Sequence, residues 1–135
     1  MRTGAEAVWS RIRLELARTH AHPEGSTRHG YSIILPLDAM GRIVLELYRK
    51  APELCSVHRF WEGEGDTVGR VIHRGRHAWA FSYEVGRADD EAVPNLAEHR
   101  FGIGEYLGLR EANGAEQVFR IVSVEPAPGI AHATV

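Results

Sequence analysis

The 135-residue chain has a single cysteine, Cys55, so no internal disulfide can brace it, and nothing in its composition calls for an oxidising compartment. Long apolar runs are missing too. Glu6, Arg11, Arg13 and Glu15 interrupt the start of the chain, which excludes a signal-peptide core there, and no segment approaches the length of a membrane span. A cytoplasmic location with no membrane association is the expectation. Nor is there an excess of one charge. Sixteen Lys and Arg against 18 Asp and Glu give a formal net charge of -2, too little to neutralise a run of phosphates, so nucleic acid is not an expected partner. A Gly-x-Ser-x-Gly elbow, a His-Glu-x-x-His pair and a Cys-x-x-Cys pair are all lacking, as are internal repeats and low-complexity tracts.

What remains is the material of one folded domain spanning 1–135: 44% hydrophobic and 25% charged residues, enough to fill a core. Thr3 and Glu6 have the spacing of a capping box, and Ala5, Val8, Trp9, Ile12 and Leu16 fall in one helical stripe, which predicts an amphipathic helix over about 4–20. From His29 the period becomes two. Strands are expected at about 30–37, 42–49, 55–61, 67–73, 78–85, 105–110 and 117–125, in a sheet over about 29–125 with a short tail at 126–135. Short turn-rich links between them imply antiparallel neighbours. The fold class read from the sequence is therefore α+β and predominantly antiparallel: an N-terminal helix, then a roughly seven-stranded meander forming a barrel or half-barrel. The stretch 86–104 is too long for an ordinary hairpin loop and reads as a cap, with a lid over a site as the alternative.

Odd-numbered positions carry the stronger apolar set: Tyr31, Ile33, Leu35 and Leu37, then Ile43, Leu45 and Leu47, then Cys55, Val57 and Trp61, then Val71, and finally Trp79, Phe81, Tyr83 and Val85. Pairing odd with odd puts all of these on one face, the expected core. Two polar residues share that parity, Arg59 and His73. A two-residue Asn113-Gly114 turn sets Leu107 opposite Arg120 and Glu105 opposite Val122, which brings Arg120 inward near Glu105. Arg59, Arg120, Glu105, His73 and Tyr83, with Trp61 and Trp79, thus outline an interior suited to a small anionic ligand, because guanidinium groups grip carboxylates and phosphates bidentately. The alternative is a purely structural ion pair between Glu105 and an arginine.

The eight histidines suggest no metal centre. His20, His22 and His29 fall at a helix exit and a Pro-Glu-Gly loop, while His58, His73 and His77 divide between opposite parities and a turn. Cys55 and His73 lack an orienting third group for nucleophilic chemistry. The basic tip from Arg70 to His77 reads as a soluble sheet edge.

The segments His22-Pro23-Glu24-Gly25-Ser26-Thr27, Arg59-Phe60-Trp61-Glu62-Gly63 and Gly104-Glu105-Tyr106 resemble those of small bacterial proteins of unknown function, a resemblance that transfers no functional residue. The residues themselves lead to a non-enzymatic barrel that binds a small anion without a cofactor. Two alternatives stand beside it: an interaction module or homodimer using Tyr48, Phe60 and Tyr106 on the even face, and an enzyme with Glu105 or His73 as general base.

Overall fold

A computed structural model describes residues 7–75, 78–83 and 90–127. Eight antiparallel strands close into a barrel in chain order: β1 (Val8–Leu16), β2 (Ser26–Leu37), β3 (Ser56–Trp61), β4 (Thr67–His73), β5 (Trp79–Tyr83), β6 (Glu91–Ala92), β7 (Tyr106–Arg110) and β8 (Glu116–Pro126), with β8 pairing back onto β1. The predominantly antiparallel barrel expected from the sequence is present, with eight strands rather than about seven and with a short helix at 45–50 rather than an N-terminal amphipathic one.

The expected N-terminal helix is a strand. Arg11-Ile12-Arg13-Leu14-Glu15-Leu16 alternates strictly, with Ile12, Leu14 and Leu16 buried and Arg11, Arg13 and Glu15 turned outward. Ile12 and Leu16 satisfy a helical stripe as well, but Leu14, which a helix would strand on its polar side, settles the period at two. Both edges of β1 are also in demand, since it lies between β2 and β8 and closes the barrel. Thr3 and Glu6, the expected cap, lie outside the described residues.

The strand expected at 42–49 is instead a short helix, α1 (Leu45–Lys50). Ile43 still bridges to Leu37, but the following Leu-Glu-Leu-Tyr-Arg-Lys run is made largely of good helix formers. Val44, Leu47 and Tyr48 are spaced three and four apart, and Leu47 and Tyr48 are buried. The helix stops where the Ala51 amide bonds back to Leu47 and Pro52 opens a 3-10 turn. It covers one end of the barrel: the Tyr48 hydroxyl donates to the Val71 carbonyl at 3.0 Å, and its ring meets Trp79 edge-on at 5.2 Å.

The odd-on-odd register holds from β2 to β6, with Tyr31 opposite Arg59, Val57 opposite Gly69, Val71 opposite Phe81 and Phe81 opposite Glu91. Eight strands leave an interior about wide enough for side chains to fill. Here Tyr31 lies against both Phe81 and Phe119, with ring centres 5.2 and 5.0 Å apart, and Trp79, Ile33, Leu35 and Ile121 occupy the rest. Among the described residues no helix is long and apolar enough to cross a membrane.

The stretch 86–104 contributes β6 and a 3-10 turn at Leu96–Glu98, and its Val93, Leu96 and Phe101 are buried in the core. Residues 84–89 lie outside the described residues, and Val85 with them.

Candidate functional site

The end of the barrel away from α1 carries the links between β3 and β4 and between β7 and β8. On β3 the alternation Val57, Arg59, Trp61 points Arg59 inward. Its length carries the guanidinium up to this mouth, where it lies over the Trp61 ring at 4.2 Å. Three carboxylates surround it. Glu64 accepts from Arg59 Nη1 at 3.1 Å, Glu91 Oε2 lies 3.3 Å from Nε, and Glu111 Oε1 lies 3.8 Å from Nη2. The Arg59 side chain is 12% exposed and that of Glu91 5%.

Beneath Arg59, the hydroxyls of Tyr83 and Tyr31 both donate to Glu91 Oε1, at 2.7 and 2.9 Å. Burial, and then the Glu91 charge, hold both phenols well above their usual range, so each serves as a donor. Burial also lifts the Glu91 carboxyl above the ordinary carboxylate range, against the hydrogen bonds from Tyr83 and Tyr31 and the charge of Arg59, which act the other way. A pocket of about 450 Å³ opens over this cluster, walled by Arg59, Glu64, Thr67, Tyr83, Glu91 and Glu111.

Of the residues singled out in the sequence, Arg59, Tyr83 and Trp61 meet at this mouth. His73 and Trp79 are at the opposite end, stacked face to face at 4.1 Å. Arg120 and Glu105 are not inside. The turn between β7 and β8 holds three residues rather than two: Gly114 takes a positive φ of 90°, its amide bonds to Glu111 O, and Glu111 N bonds to Ala115 O. That added residue slips the register by one, so Leu107 faces Phe119, and Tyr106 faces Arg120. Phe119 therefore takes the interior place expected for Arg120, which is exposed along with Glu105.

The residues foreseen for a docking face scatter in the same way. Tyr48 is buried on α1, Phe60 lies 4.3 Å beneath the Arg13 guanidinium, and Tyr106 is exposed. The sequence reading missed Glu91, the anchor of the cluster. Its signal was the alternation Glu91-Ala92-Val93 within the long stretch, which gives Glu91 the parity of buried Val93.

Other candidate chemistry is placed unfavourably. Cys55 is fully buried, and burial pushes its thiol up to about 12, which leaves little thiolate near neutral pH. The His22 and His29 rings touch at 4.7 Å, and His29 shares a hydrogen bond with Ser26 Oγ at 2.7 Å. His58 pairs with Asp66 at 2.9 Å, and His77 lies outside the described residues. Among the described residues no three His, Cys, Asp or Glu side chains are grouped to hold a metal ion. Arg74 of the basic tip pairs with Asp90. In comparisons with known proteins, no family, no curated protein and no solved structure matches the chain.

Proposed function

We propose that the protein is a non-enzymatic binding barrel that takes a small organic cation at the Arg59–Glu91 mouth. The observation that carries this reading is the charge ratio of the pocket: three carboxylates, Glu64, Glu91 and Glu111, around one guanidinium. An anion, the ligand suggested by two inward arginines, would meet that excess directly, because Arg120 lies outside the barrel and Arg59 is already engaged. A cation gains from it. Glu111 is the carboxylate best placed to receive one. It lines the pocket, and at 3.8 Å from Arg59 Nη2 it lies beyond hydrogen-bonding distance. The carboxylates ring Arg59 instead of converging on a point, an arrangement that suits an ammonium or amidinium group better than a metal ion. Tyr31, Tyr83 and Trp61 hold Arg59 and Glu91 in place, so little ordering is left for the ligand to impose. The test is thermal unfolding of the full chain with 1,4-diaminobutane or methylguanidinium against phosphate or acetate. Stabilisation by the cations alone is the expected result. Stabilisation by the anions alone, or by neither class, would remove the proposal.

A further inference from the structure

A second site lies on the barrel wall, independent of the mouth. The weakest seam in the barrel is between β6 and β7, whose ladder consists of one pair, Ala92 with Arg110. Extending that register would set Pro94 against Gly108 and Leu96 against Tyr106. Neither pairing forms: Pro94 has no amide to give, Asn95 turns left-handed at φ 60° and ψ 31°, and the chain enters the 3-10 turn that buries Leu96.

On β7 the odd residues bond towards β8, as the bonds from Glu111 N to Ala115 O and from Ile121 N to Glu105 O show. The amides and carbonyls of Tyr106 and Gly108 therefore face the gap, and no described residue pairs with them. A mostly apolar pocket of about 730 Å³ lies along this seam, lined by Trp79, Ala92, Pro94, Gly108, Leu109 and Val118, with Gln117 and the mutually paired Arg110 and Glu116 also on its wall. Trp79 is 2% exposed, and its indole N–H also lacks a described acceptor.

Gly108 is the informative residue. Two other strand glycines are fixed by packing, since a Cβ at Gly30 or Gly69 would come within 2.0 or 2.1 Å of a carbonyl oxygen. At Gly108 a Cβ would meet only Gln117 O at 3.8 Å, and its φ is not positive. Packing does not require a glycine there, and a strand interior disfavours one. What its missing side chain leaves open is space on the outer face of β7 beside exposed Val118.

We infer that the β7 edge accepts an extended, uncharged peptide segment as an added strand, with an apolar side chain seated over Gly108 beside Val118. The free edge from Tyr106 to Gly108 is about 10 Å long, the scale of a short peptide. That is too little for a stable dimer of this chain, which needs an interface on the order of 1,000 Å² or more.

The probe is acetyl-Thr-Val-Thr-Val-Thr-amide added to the full chain, followed by amide hydrogen exchange. In the free protein the Gly108 amide should exchange much faster than those of Leu107 and Leu109, and the peptide should slow it by about tenfold or more. Gly108→Val, whose side chain the site can hold, should fold and bind the peptide at least about tenfold more weakly. Three results would overturn the inference: a Gly108 amide as protected as Leu109 in the free protein, an exchange rate indifferent to the peptide, or equal binding by the folded valine variant. Protection that rises with protein concentration alone would assign the edge to a second copy and overturn it as well.

Discussion

The Tyr83 hydroxyl donates to Glu91 Oε1 at 2.7 Å, and through that bond the neighbouring strands β5 and β6 share one site. Tyr31 binds the same oxygen, so Glu91 is held by two phenols below while Arg59 lies against its other oxygen above. Replacing Glu91 by Ala leaves both buried hydroxyls without their shared acceptor and the guanidinium without its most buried counter-charge. The expected loss is about 3 kcal/mol of folding stability in urea denaturation. A loss below about 1 kcal/mol would mean that the cluster contributes little to the fold.

The same carboxyl sets a pH dependence. Its folded value lies above the ordinary 4.5, so between the unfolded and folded values the native state binds the extra proton. Stability relative to Glu91→Gln should therefore fall as pH rises above 4.5 through that window, and level off once both states are ionised. Denaturation curves for the two proteins at a series of pH values check the sign; a relative stability that rises with pH would reverse it.

At the other end of the barrel, Tyr48→Phe removes only the hydrogen bond to the Val71 carbonyl and keeps the ring against Trp79. About 1 kcal/mol should be lost, and Tyr48→Ala should cost more by opening a cavity beside Trp79. Equal stability of the wild type and both variants would show that α1 does not close the barrel.

Cys55 should resist a thiol reagent such as 5,5′-dithiobis(2-nitrobenzoic acid) in the native protein and react at once in denaturant, because its thiol is fully buried and pushed up to about 12. Prompt stoichiometric labelling of the native protein would contradict that burial.

Much of this architecture is legible in the chain, and its misreadings have identifiable causes. The inward parity of Tyr31, Val57, Arg59, Phe81 and Tyr83 follows from period-two alternation, and the barrel keeps it. The N-terminal segment deceives because Ile12 and Leu16 fit both a helix and a strand; Leu14 decides between them only when the polar alternation of Arg11, Arg13 and Glu15 is read with it. The last hairpin turned on one residue. Asn113-Gly114 suits a two-residue turn, but Gly114 serves as the left-handed residue of a three-residue loop, and the slip exchanges Arg120 for Phe119 in the interior.

The mouth was half legible. Arg59 could be placed from its strand, whereas Glu64 and Glu111 come from turns, and Glu91 from a two-residue strand inside the long 86–104 stretch. The local signal for Glu91, its alternation with buried Val93, runs over only three residues.

The measurement that bears most directly on the central claim is a calorimetric titration of 1,4-diaminobutane into the full chain and into Glu111→Gln, with phosphate as the opposing ligand. Saturable binding of the diamine, weakened about tenfold in the variant and matched by no binding of phosphate, is the predicted result. Phosphate binding that survives Glu111→Gln, with no heat from the diamine, would contradict a cation site at the Arg59–Glu91 mouth.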